Sequence, residues 1–212
     1  MLDGKVNANA SSISHLWDVG GSYSISVTVS DMKGGTLTLT KTITVTDPLD
    51  TWTASTVGTT DDLQNVVWGK GRFVAASYWG EEFLSWDGTT WASTGSLDNL
   101  DQPKLAYGNS VFVAAGRQET TNTLAQIYWS ADGRFWNAAT FPVGTARAEG
   151  LTFGNGTFMM VGTGGTVLSS TDGTTWTELS SGPTEQLQGI GFDGTQFIAV
   201  GAGGRIMTSA AG

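Results

Sequence analysis

Two aspartates, Asp62 and Asp101, each stand eleven residues before a phenylalanine, Phe73 and Phe112, and Arg147 and Gln186 hold the same place before Phe158 and Phe197. Facing carboxylates are what glycosidic bond cleavage requires, one as general acid and the other as base or nucleophile. Near them in sequence lie Tyr78, Trp79, Arg117 and Glu119. Aromatic, cationic and acidic side chains in that mixture also make sugar- or peptide-binding patches without any chemistry. The one histidine, His15, falls in a separate N-terminal segment, which excludes a Ser-His-Asp arrangement. With no cysteine there is neither a disulfide framework nor a thiolate metal site. No cofactor and no metal site are expected.

The equivalence of those four positions rests on a repeat. Trp52, Trp91, Trp136 and Trp176 precede Phe73, Phe112, Phe158 and Phe197 by 21, 21, 22 and 21 residues. Serines follow the phenylalanines at 12, 18, 12 and 12 residues: Ser85, Ser130, Ser170 and Ser209. Only the second unit carries an insertion of any size. Within each unit, four strand-like runs alternate with Gly, Asn and Asp turns. A period of about 40 residues with four short strands per unit is the signature of β-propeller blades. Thirty glycines among 212 residues suit that many tight turns.

The predicted first strands are 63–68, 102–107, 148–153 and 187–192, and the second strands begin at the phenylalanines. In that register Asp62, Asp101, Arg147 and Gln186 ring the mouth of a central channel, as a catalytic pair or as a solvated polar rim. Loops between second and third strands reach the same face. Those of units three and four are bare, Gly162-Thr163-Gly164-Gly165 and Gly201-Ala202-Gly203-Gly204. Unit one carries Ser77-Tyr78-Trp79-Gly80-Glu81-Glu82, and unit two a long loop from Arg117 to Thr123. Departures from a minimal repeat are where function concentrates.

Three units contain a Ser-x-Asp-Gly-x-x-Trp box: Ser85, Asp87 and Trp91; Ser130, Asp132 and Trp136; Ser170, Asp172 and Trp176. The box resembles a one-residue-shorter form of the Asp-box (BNR repeat) of sialidases and related propellers, and is similar to the repeats of photosystem-assembly-factor-like propellers. The resemblance implies an architecture in which Ser and Asp brace a hairpin turn and Trp packs between blades. Metal binding through Asp87, Asp132 and Asp172 is the alternative to turn formation. Sialidases also need an arginine cluster and a tyrosine nucleophile. Here Arg72 and Arg134 fall in turns on the box side, away from the mouth.

Residues 1–47 have another texture. Tyr23, Ile25, Val27 and Val29 alternate with serine and threonine, as do Leu37, Leu39, Ile43 and Val45. Two half-buried strands joined by a turn at 31–35 follow. With Trp17-Asp18-Val19-Gly20 and the closing Thr42-Ile43-Thr44-Val45-Thr46-Asp47, residues 12–47 resemble the later part of a PKD domain, an immunoglobulin-like sandwich common in extracellular proteins. The Gly-Asp-Gly insertion after Trp-Asp is contracted and the first strands have little room, so the sandwich is partial. Asp47-Pro48 serves as the linker.

The reading is all-β: a partial Ig-like sandwich over 1–47, then a β-propeller over 49–212 with four units of four strands. The chain begins its repeats with an outer strand, Thr51-Trp52-Thr53-Ala54, and ends at Ser209-Ala210-Ala211-Gly212 without the turn aspartate or tryptophan. That pattern is expected if the N-terminal strand completes the last blade. Two chains joined head to tail, or a larger propeller, satisfy the same count. Ten basic residues against nineteen acidic ones, a net charge of −9, make nucleic acid an unsuitable partner. No apolar run reaches membrane-spanning length, and Met1-Leu2-Asp3-Gly4 does not start a signal peptide. The expected function is a non-catalytic ligand-binding or adhesion module of an extracellular or cell-surface protein, recognising glycan or protein. Its candidate contacts are Tyr78, Trp79, Asp62, Asp101, Arg117, Glu119 and Arg147. A glycoside hydrolase using the acidic mouth and a structural spacer are the alternatives, with self-association through unpaired blade or sandwich edges.

Overall fold

The computed structural model describes residues 20–30, 33–45, 52–121, 123–179 and 184–210. His15, the Trp17-Asp18-Val19 motif, the Asp47-Pro48 linker, Thr51 and Ala211-Gly212 lie outside them. The chain divides into two units between Ala54 and Ser55.

In the first unit, β1 (Gly21–Ser30) pairs antiparallel with β2 (Thr36–Val45), Val27 opposite Leu39 and Val29 opposite Leu37. Strict alternation puts every apolar side chain on one face and a serine–threonine ladder on the other. Ser26 meets Thr40 at 3.0 Å and Thr28 meets Thr38 at 2.8 Å. The two expected strands are present, but Ile25, Val27, Val29, Leu37 and Leu39 are exposed rather than half-buried. A half-buried face needs an opposing sheet, and the described residues of this unit supply only the hairpin.

The second unit is a series of antiparallel sheets. The first holds β3 (Leu63–Gly69), β4 (Arg72–Ser77), β5 (Glu81–Ser85) and β6 (Ala92–Ser96). The second holds β7 (Leu100–Gly108), β8 (Val111–Gln118), β9 (Ala125–Ser130) and β10 (Asn137–Ala138). The third holds β11 (Ala148–Gly154), β12 (Thr157–Gly162), β13 (Val167–Ser170) and β14 (Thr177–Glu178). The last has three strands among the described residues: β15 (Leu187–Phe192), β16 (Phe197–Gly201) and β17 (Arg205–Thr208). First strands adjoin at the hub, β3 beside β7, β7 beside β11 and β11 beside β15.

Period-2 alternation gives each blade two apolar faces, and adjacent blades share them. Val74, Ala76 and Leu84 of the first sheet close against Leu105, Phe112 and Ala114 of the second. Val113, Ala115 and Ile127 close against Phe158, Met160, Leu168 and Trp176 of the third. Met159, Val161 and Val167 close against Ala199, Phe197 and Met207 of the last. At the hub, the aromatic of each first strand lies against the glycine ending the previous one. A Cβ at Gly108 would collide with the Phe153 ring and one at Gly154 with Phe192. Those glycines let the blades approach to ring thickness.

The outer faces of the series stay open. Trp68 and Val66 at its start and Val200 and Ile206 at its end are exposed, although their repeat equivalents are packed. Trp52–Ala54 carry no strand, and β17 has β16 as its only strand partner among the described residues. The fourth unit therefore has three strands among the described residues where four were expected.

Each box folds alike. Ser85 Oγ accepts the Gly88 N–H at 2.9 Å and donates to Asp87 Oδ1, which accepts the N–H groups of Thr89 and Thr90 at 2.8 and 2.7 Å. Ser130 with Asp132 and Ser170 with Asp172 repeat the pattern. The glycines turn at φ near 75° (Gly88 75°, Gly133 73°, Gly173 75°), where a side chain is strained. Backbone donation by Thr175 pulls the Asp172 carboxyl down to about 2. Thr90 and Thr89 hold that of Asp87 well below the usual range. The tryptophans differ. Trp176 is buried between blades, whereas Trp91, whose blade starts the series, and Trp136 are only half-buried.

Candidate binding site at the channel mouth

The repeat register places Asp62, Asp101, Arg147 and Gln186 on one end of the blades, and the backbone shows why. Loop N–H groups reach back to these carbonyls: Tyr78 to Asp62 at 2.8 Å, Thr163 to Arg147 at 3.3 Å and Ala202 to Gln186 at 2.8 Å. The box turns lie at the opposite end. There Arg72 donates to the Asp132 carbonyl, as expected for it, and Lys70 to that of Ala131.

At the mouth, the side chains of units one and two interlock. Arg117, on β8, donates to Asp101 Oδ2 at 2.8 Å and to the Tyr78 hydroxyl at 3.4 Å. Its guanidinium also stands over the Tyr78 ring, 5.8 Å from the centroid. Gln102 donates to the same hydroxyl at 2.8 Å. Burial works against the Arg117 charge, but the bonds to Asp101 and Tyr78 outweigh it and push the pKa up. Its Nε, buried, has no hydrogen-bond partner. Trp79 meets Tyr78 edge to face at 4.6 Å and leaves 58% of its surface in solvent.

The other expected contacts are less concentrated. Asp62 is exposed and joins the group through its backbone carbonyl. Glu119 is exposed, its N–H donating to the Asn99 carbonyl. Arg147 forms a second cluster in unit three, its Nε 2.6 Å from Glu149 Oε1, and Gln186 donates to that carboxylate at 3.1 Å. Asp101 is buried and ion-paired, so it does not stand across the channel as the solvent-facing partner of Asp62 that a glycosidase pair requires. Among the described residues, no group of three or more acidic or histidine side chains is placed to hold a metal ion.

Glu81 and Glu82, read as mouth-loop residues, belong instead to β5, and Glu82 points between blades one and two. Its signal was present in the sequence. It stands three residues before Ser85, in the column occupied by Ile127, Val167 and Ile206 before the other serines. A lone carboxylic acid in an apolar column marks an altered environment.

Residues 99–212 match the DUF6242 beta propeller domain, more than half of the 212-residue chain. The chain belongs to that family. No curated protein matches it. Among solved structures, the computationally designed Ika4 protein aligns at a TM-score of 0.53 and 12% identity, over 73% of this chain and 94% of its own. A structure of YCF48 bound to D1 peptide aligns at 0.57 and 14% identity, over 74% of this chain and 52% of its own. A catalytically inactive virginiamycin B lyase from Staphylococcus aureus, with quinupristin, aligns at 0.53 and 14%, over 81% and 59%. The chain thus spans about half to three-fifths of the length of the last two. At these identities the likeness is one of fold. The fold is an all-β propeller. Among the described residues, no helix is long and apolar enough to cross a membrane.

Proposed function

We propose that the propeller unit is a non-catalytic binding module that docks an extended peptide segment of a protein partner across the mouth of blades one and two. The observation that carries this reading is the Tyr78–Asp101–Gln102–Arg117 network, braced on both blades, beside the exposed Trp79. Preorganised donors next to a rigid aromatic are what interface hot spots are made of. The open Trp79 surface also favours a second reading, a glycan stacked on the indole. The resemblance of residues 12–47 to PKD domains supports an extracellular or cell-surface setting. The open faces at Trp68 and Ile206 support self-association of a second copy, its first blade following the last.

Peptide and glycan arrays probed with the chain, and with Trp79→Ala and Arg117→Ala, test the proposal. Peptide binding lost in both variants supports it. Glycan binding lost in the same variants selects the second reading, and binding unchanged in either variant overturns the mouth as the site.

A further inference from the structure

Blade one differs from its neighbours at one buried position. Glu82 pairs with Ala76 across the sheet as Ile127 pairs with Ala115, Val167 with Val161 and Ile206 with Val200. Its residue is 2% exposed. The β5–β6 register slips between Glu82 and Phe83, and such irregularities re-aim a side chain. The carboxylate receives the Trp136 indole N–H at 2.7 Å on Oε1. Elsewhere the box tryptophan closes on its own turn, Trp91 to the Gly88 carbonyl at 3.0 Å and Trp176 to that of Gly173 at 3.1 Å. Trp136 has exchanged that internal bond for one across the blade interface.

The exchange opens a cleft of about 220 Å³ between the outer parts of blades one and two, lined by Glu82, Thr94, Asp98, Tyr128, Arg134 and Trp136 among others. The Thr94 hydroxyl is buried beside Glu82 and helps to hold the ionised carboxylate. Arg134 lines the cleft, its guanidinium over the Phe135 ring, 5.4 Å from the centroid. Tyr128 is turned away, its hydroxyl donating to the Asp98 carbonyl at 2.6 Å. The cleft therefore presents a carboxylate at the floor beside an indole wall. Buried charge requires a compensating partner, and an ammonium beside an aromatic face gains from both charge and ring quadrupole.

We infer that this cleft is a binding site for an alkylammonium group of side-chain size, such as a lysine side chain or a small primary amine. It lies away from the mouth and does not depend on the reading given for that face. The volume, room for about seven waters, admits a short alkyl chain and its charged head. Burial pushes the Glu82 carboxyl up to about 7, with Asp132 adding to the rise and Trp136, Thr94 and Arg134 opposing it. The empty site is therefore half-protonated near neutrality. A cation selects the ionised form, so its affinity rises as pH increases through 7 and levels off above.

The test uses n-butylammonium as probe and the indole N–H resonances as readout. The Trp136 resonance is expected to shift saturably at about millimolar probe, about tenfold more weakly at pH 6 than at pH 8. The Trp176 resonance should stay fixed. Glu82→Gln keeps an acceptor for Trp136 and should abolish the shift. Thr94→Val, near-isosteric, should weaken it. A shift that survives in Glu82→Gln, an equal response to neutral n-butanol, or no saturable shift at Trp136 with the fold intact would each overturn the assignment.

Discussion

Glu82 ties stability to pH in a direction opposite to that of most carboxylates. Its pKa rises from 4.5 to about 7 on folding, chiefly through burial. Between those values the folded protein holds a proton that the unfolded chain releases. Unfolding is thus favoured progressively as pH climbs through the window, and the loss is complete above about 7. At about 1.4 kcal/mol per tenfold change, the difference amounts to about 3 kcal/mol, a large share of a typical domain's stability. Urea unfolding of the parent and of Glu82→Gln, from about pH 5 to pH 8, isolates it. The amide retains a hydrogen bond to Trp136 and cannot ionise. The parent should lose about 2.5 kcal/mol more than the variant across that range, part of the full difference having been lost already below pH 5. Asp172 and Asp193, held down at about 2 by backbone donors and, for Asp193, first by the Thr195 hydroxyl, titrate well below it. His15 lies outside the described residues and is common to both proteins, so it cancels in the difference. Equal pH slopes for the two proteins would refute the buried, shifted carboxyl.

Three further outcomes follow from the repeat geometry. Ile127→Ala should cost about 2–5 kcal/mol and Ile206→Ala under about 0.5, because one is fully buried between blades and the other 68% exposed; comparable losses in denaturant melts would mean that the last blade face is covered. Gly108→Ala should destabilise by about 1–3 kcal/mol, since the new methyl meets the Phe153 ring, and a thermal midpoint equal to the parent's would contradict the hub packing. Asp172→Ala, which strips the acceptor from the Thr174 and Thr175 N–H groups, should cost about 1 kcal/mol at neutral pH. Because the folded carboxyl is ionised down to about 2, that cost should fade as pH falls from about 4 toward 2, as acid unfolding would report.

The blades were legible in the sequence because their determinants are local and repeated. Asp-Gly turns, period-2 alternation and the Trp–Phe spacing act within one unit, so four noisy copies reinforce one another. The shared end of the blades was legible for the same reason: equal offsets from Phe73, Phe112, Phe158 and Phe197 place equivalent residues at one end of each blade. Pairing at that end was legible only in part. That Arg117 would neutralise Asp101 follows from their facing positions on β7 and β8 within blade two. That it would also stack on Tyr78 depends on how the blade-one loop folds across a blade boundary, for which the repeat has no template. The open ends likewise depend on tertiary structure, since a face such as Val200 and Ile206 has the same pattern whether or not a neighbour covers it. Glu82 shows the division most sharply. Its column position was readable, but its burial came only from blade two closing over it, and that desolvation turns an ordinary glutamate into one that titrates near 7.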